Sequence, residues 1–242
     1  MQTVCAFGIY AAFDTLYYLE NGLNVTLPVE ANPSLVHSAR FRLAGYVIAG
    51  SLTLISCAIS NDNGDVELTI CGDDLGSSSV YSDSVASRSP LGTWRVPGIT
   101  TEEIIERYVP FYLKVDIEGA DKLTVLALSS RNKPQYLSFE ISEQLEKLID
   151  YVAAIGYCKF KIVDQLTFRE LSNHSNLRGR CTRDIFRLLG YAEPQFSRRN
   201  GWYFKVGQSS GPAPRCRDDQ CSSRADVLKH WTFSRTLCNS HA

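Results

Sequence analysis

The chain has 242 residues, 44% of them hydrophobic and 21% charged, with a formal net charge of −1. That composition supports an ordinary folded core in a single domain, and without a long basic run it excludes a nucleic-acid or anionic-membrane footprint. No apolar stretch reaches the roughly 18 residues of a membrane helix, and Met1–Phe13 lacks the basic start of a signal peptide, so a cytoplasmic protein of open oligomeric state is expected.

Strand and helix signals alternate along the chain. Thr3–Gly8 reads as a strand, Phe13–Asn21 as a helix closed by Gly22, and Leu23–Glu30 as a second strand. Pro33 starts a helix where proline is tolerated, with Leu35, Val36, Ala39 and Leu43 at helical spacing to about Ala44. Ser51–Ile59 is a third strand, and Asp65–Ile70 alternates as an extra strand after the Asn63-Gly64 turn. Gly76–Gly92 is Ser-rich and reads as a loop. Thr100 or Thr101 caps a helix to Tyr108, with Glu102 and Glu103 suited to its positive end. A strand ends at Asp116, a helix covers Ala120–Leu128, a strand ends at Glu140, and a helix runs from Ser142 to Ile155 before Gly156. Tyr157–Val163 and Trp202–Val206 complete the strands. This βαβ alternation predicts an α/β fold, a mostly parallel sheet with helices on both faces. It occupies 1–206, with an irregular insertion at about 164–201 (a short helix near Arg183–Leu189) that either covers the ligand crevice or is a surface excursion. Residues 207–242 form an irregular tail, packed on the domain or partly disordered.

The eight cysteines do not form a secreted-protein framework. Cys5, Cys57, Cys71 and Cys158 lie in or beside strand-like segments, as small buried hydrophobes. Cys181, Cys216, Cys221 and Cys238 show no CxxC pair and no zinc-finger histidine, and a Cys216–Cys221 disulfide is left open. The sequon at Asn24 falls in a strand and is read as chance; a second begins at Asn173.

The densest chemical signal is Phe111–Asp121, FYLKVDIEGAD. An apolar run leads into Asp116, Glu118 and Gly119, as a buried parallel strand does when it opens at its carboxyl end onto a ligand crevice. Pro134–Glu140 repeats the pattern and would bring Glu140 to the same crevice. The first turn, FGIYAAFDT, holds one glycine and no P-loop lysine, which makes a poor phosphate cradle. Glu30, closing the second strand, is placed to accept hydrogen bonds from two ribose hydroxyls. Together these favour an adenosine-type ligand without a phosphate contact.

The succession GIYAAFDTLYYL, VEANPSL, LKVDIEGAD and LSFE resembles the FkbM-type S-adenosylmethionine-dependent methyltransferases, and the tail segments WYF and SSGP are also similar. The resemblance spans nearly the whole chain. It implies a class I (Rossmann-like) methyltransferase fold, with a seven-stranded sheet whose last strand is antiparallel, and usually O-methylation of a hydroxyl. Carried over by position, it implies that Gly8 lies beneath the methionine part of the cofactor and that Asp14 and Thr15 open the first helix. It makes Glu30 the ribose acid with Asn32 beside it, and places Ala58–Ser60, including Ser60, around the adenine. Asp116, Glu118 and Glu140 become the acids at the ends of the fourth and fifth strands. Ala6 departs from the acid usual at the end of the first strand, and Ala12 from a second glycine.

Methyl transfer to a hydroxyl needs alignment of the acceptor and help in removing its proton. Asp116 leads as base or metal ligand, with Glu118 and Glu140 next; Asp116 and Glu140 would be the ligands if Mg²⁺ takes part. Glu118 reads equally well as a helix-start charge. Among His37, His174, His230 and His241, only His174 has a claim on the crevice. The expectation is an S-adenosylmethionine-dependent O-methyltransferase acting on a sugar or small hydroxylated metabolite. The alternatives are a catalytically weakened relative serving as a binding or regulatory subunit, which Ala6 and Ala12 keep alive, and an NAD-dependent oxidoreductase, which the single-glycine turn disfavours.

Overall fold

The computed structural model describes residues 2–8, 12–71, 78–80, 90–117, 119–140, 145–162, 196–199, 202–205 and 223–227. The chain divides into two compact units, 1–151 and 152–242.

The first unit is built on five parallel strands: β1 (Thr3–Phe7), β2 (Asn24–Glu30), β3 (Ile55–Ser56), β7 (Tyr112–Val115) and β8 (Tyr136–Ser138). Their order across the sheet is β3-β2-β1-β7-β8. The central pair is buried on both faces: Val4, Cys5, Ala6 and Phe7 of β1 and all four residues of β7, Lys114 included, are shielded from solvent. That is the environment a parallel strand covered by helices requires. Phe7 pairs with both Val29 and Val115, so β1, β2 and β7 end level with one another. The strand order reverses between β1 and β7, the position at which open α/β sheets leave a crevice.

The helices begin where local chemistry dictates. In α1 (Phe13–Glu20) Tyr17, Tyr18 and Leu19 are buried, and the chain leaves through Gly22 at φ 73°, the left-handed position glycine fills at helix ends. Asn32 caps α2 (Pro33–Arg42) by accepting from the Ser34 N–H at 3.0 Å. A break at Leu43 separates it from a further short helix, α3 (Ala44–Ile48). Thr100 caps α4 (Thr101–Tyr108), accepting from the Glu103 N–H at 3.2 Å. Two more helices follow, α5 (Asp121–Leu126) and α6 (Leu145–Ala154).

Three expectations about this unit change. The third strand is two: Ile55–Ser56 pairs with β2, whereas β4 (Ala58–Ile59) leaves the sheet after Cys57 to pair with Gly98 and Ile99. The loop read to Gly92 gives way at Pro90 to a long strand, β6 (Pro90–Ile99), which is antiparallel to β5 (Asp65–Cys71). Its breakers are accommodated by position: Pro90 is the first residue, where a missing N–H is harmless, and a side chain at Gly98 would collide with Ser60 Oγ and the Gly64 carbonyl. Glu140 lies two residues beyond β8 and is exposed.

In the second unit, β9 (Phe196–Arg199) and β10 (Trp202–Lys205) pair antiparallel. Of the strand expected over Tyr157–Val163, the described residues 157–162 form no ladder and have only a bridge position at Phe160. Cys158 is exposed rather than buried, while Cys5, Cys57 and Cys71 are buried. The short helix near 183–189, His174, His230, His241, the sequon at Asn173 and the last four cysteines lie outside the described residues. Among the described residues no helix is long and apolar enough to cross a membrane.

Candidate active site

Three strand ends meet at one crevice. Gly8 follows β1, Glu30 closes β2 and Asp116 follows β7, and all three line it together with Ala31, Ala58, Ile117 and Ala120. Gly8 ties the three together. Its N–H donates to the Val29 carbonyl at 2.7 Å, and the Asp116 N–H donates to the Phe7 carbonyl at 3.0 Å. Gly8 has φ 82°, and any Cβ there would run into the Asp116 carbonyl. Glycine is therefore required for the strands to close as well as for a ligand to approach. The crevice encloses about 50 Å³, room for a few waters, and is otherwise open to solvent.

The β7 side is charged. Lys114, with its side chain 7% exposed, forms a buried ion pair with Asp14 at the start of α1 and lies 3.5 Å from Asp116 Oδ2. Burial alone would lower the Lys114 pKa; the Asp14 and Asp116 carboxylates overcome this and raise it. Tyr112 shares a 2.6 Å hydrogen bond with Ser138, and burial raises its pKa, so it stays a neutral phenol. Burial, then the Asp116 and Glu140 carboxylates, push Asp121 up to about 7. Asp121 Oδ1 is buried with no hydrogen-bond partner among the described residues.

The β2 side is apolar around one carboxylate. Glu30 Oε1 accepts from the Asn32 N–H at 2.8 Å, which fixes the side chain beside the crevice. Ala31 follows it, and Cys57, Ala58, Ile59 and Leu68 continue the wall. Burial and the Glu103 carboxylate push the Cys57 thiol up to about 12, so it is protonated and inert as a nucleophile at neutral pH.

Of the residues the sequence pointed to, Gly8, Glu30 and Asp116 line the crevice, as do Ala58 and Ile59 of the Ala58–Ser60 segment. Asp14 is engaged with Lys114, and Thr15 is buried within α1. Asn32 is 1% exposed and serves as a helix cap, while Ser60 donates its hydroxyl to the Asp62 carbonyl. Glu140 reaches the acidic group through its field on Asp121. Glu118 lies outside the described residues, and His37 is exposed on α2. Sequence reasoning passed over Lys114 and Asp121, although both stand in the FYLKVDIEGAD run; a lysine inside an apolar strand was the available signal. Ala12 has φ 57° and ψ 20°, a left-handed conformation that explains why a glycine is usual there. Ala6 is level with Lys114 in the β1–β7 register, so an acid at that position would stand beside the ammonium.

Among the described residues no group of three or more His, Cys, Asp or Glu side chains is gathered to hold a metal ion, and the Mg²⁺ expectation at Asp116 and Glu140 gains no support. The family model described as the methyltransferase FkbM domain matches residues 6–161. No curated protein and no solved structure matches the chain.

Proposed function

The chain belongs to the FkbM methyltransferase family, and from that premise we propose that it transfers the methyl group of S-adenosylmethionine to a hydroxyl of a sugar or other small metabolite. The observation that carries this reading is the convergence of Gly8, Glu30 and Asp116 on one crevice at the reversal point of the sheet.

The residues present fit a nucleoside cofactor. Glu30 is pinned by a backbone N–H at the place where a ribose diol would be gripped, beside an apolar wall, and Gly8 keeps the floor free of a side chain. S-adenosylmethionine, when bound, supplies a methyl group already activated on a sulfonium. The chain's own residues orient the acceptor and take its proton. Asp116 suits the second role, because its backbone is fixed to β1 while its side chain remains one-third exposed at the crevice. A base needs this combination of rigid support and access. With an acceptor in hand, Asp116→Asn should lower turnover by roughly 10²–10⁴, the usual worth of a general base.

Calorimetric titration with S-adenosylhomocysteine and then with NAD tests the reading. Binding of the first and not the second is expected. Binding of neither would favour the regulatory-subunit alternative, which the alanines at positions 6 and 12 support, and binding of NAD alone would point to hydride transfer.

A further inference from the structure

One wall of the crevice comes from outside the parallel sheet. Ser78, Ser79 and Val80, three consecutive residues of the connection between β5 and β6, all line it. They are firmly seated. Ser79 is 2% exposed, and it exchanges two backbone hydrogen bonds with Thr69 of β5, at 2.9 and 3.1 Å. Ser78 Oγ accepts from the Cys71 N–H at 3.3 Å. Val80 packs on the apolar cluster of Ala58, Leu68, Ile70 and Val96, and Ala31 packs on the same cluster. The residue that follows the ribose-type acid and a residue of the β5–β6 connection thus share one footing and face one crevice.

A flat heterocycle wants apolar contact on its faces and hydrogen-bonding groups near its rim. The Ser78–Val80 segment offers both, next to the acid suited to a ribose. Resting on the reading of this crevice as a nucleoside-cofactor site, we infer that Ser78–Val80 form the nucleobase wall, with Val80 against the face of the adenine ring. The β5–β6 ladder then has a function beyond extending the fold, since it delivers this wall at a fixed height over the strand ends. The charged residues of the β7 side take no part in holding the base.

The test compares wild type, Val80→Ala and Val80→Trp, each checked for a native circular-dichroism spectrum. S-adenosylhomocysteine binding is read by calorimetry and adenosine binding by saturation-transfer NMR. Removing two methyl groups from a base-facing wall should weaken both ligands by about three- to tenfold, and the bulky indole should weaken both by about a hundredfold or more. If wild type binds S-adenosylhomocysteine and Val80→Ala binds it equally well, the inference is overturned and the cofactor reading stands. A loss confined to S-adenosylhomocysteine, with adenosine unaffected, would put Val80 at the amino-acid end and also overturn it. If wild type binds neither ligand, the cofactor reading falls and takes this inference with it. Should the Trp variant not fold, Val80→Ala decides, because it only trims a half-buried side chain.

Discussion

The two sides of the crevice are built by different means. On the β2 side, Glu30 is set by the Asn32 N–H two residues away, and Asn32 in turn caps a helix through Ser34, so five consecutive residues suffice to build the feature. On the β7 side, Lys114 of the fourth sheet strand in sequence pairs with Asp14 of the first helix, a hundred residues earlier, and only the closed fold brings them together. The β2 side is a local motif that can be altered without disturbing the core. The β7 side is part of the core, so changes there act on stability and on chemistry at once.

Lys114→Met should expose that difference most strongly. It leaves Asp14 in a buried site without its cation, and breaking a buried pair from one side costs about 3–5 kcal/mol. Chemical denaturation measures it. The double variant Asp14→Asn/Lys114→Met should recover a large part of the loss, since the deeply buried carboxylate is removed with its cation and Asp116, the other partner of Lys114, is one-third exposed to solvent; simple additivity of the two single variants would show that the pair is not coupled.

Asp121 gives a smaller effect with a definite sign. Its folded pKa, about 7, stands above the ordinary 3.8. Between those values the folded protein holds a proton that the unfolded chain releases, so stability falls as pH rises from about 4 to 7 and stays lower above. Asp121→Asn should therefore stabilise the protein by up to about 4 kcal/mol at pH 8 and by little at pH 4. Melting curves across this range, flat in the variant and sloping in wild type, are the expected result.

The smallest effect belongs to Ala12. A left-handed alanine costs about 1 kcal/mol, and Ala12→Gly would relieve it. The methyl, however, is buried with Leu19, Ala39, Leu43 and Leu52, and its loss costs about 0.8 kcal/mol. The two terms nearly cancel, so stability should change by no more than about 0.5 kcal/mol. A gain well beyond that would mean that the backbone strain outweighs the packing.

The same division explains what could be read from the sequence. β1 and β7 were legible because strands buried on both faces leave largely apolar runs, β2 because its run closes on an acid before Pro33, and the cap at Thr100 was legible because a cap is local. Glu30 and Asp116 follow directly from those strands. The unbroken run SLTLISCAI hid the change of partner at Cys57, since a switch from one sheet to another leaves no mark on hydrophobicity. β6 was hidden by Pro90, Gly92, Pro97 and Gly98, whose tolerance depends on neighbours brought in by the fold. Lys114 and Asp121 stood in plain view, but their significance lies in Asp14, Asp116 and Glu140, which the chain gathers only on folding.

The most direct test is S-adenosylhomocysteine titration of wild type, Glu30→Ala and Asp116→Asn side by side. If Glu30 holds the cofactor and Asp116 serves the acceptor, Glu30→Ala should lose about 1.5–3 kcal/mol of binding, the worth of hydrogen bonds to a charged group, while Asp116→Asn binds within about twofold of wild type. Equal losses in both variants, or a loss confined to Asp116→Asn, would contradict the division of the crevice into a cofactor side and a reaction side.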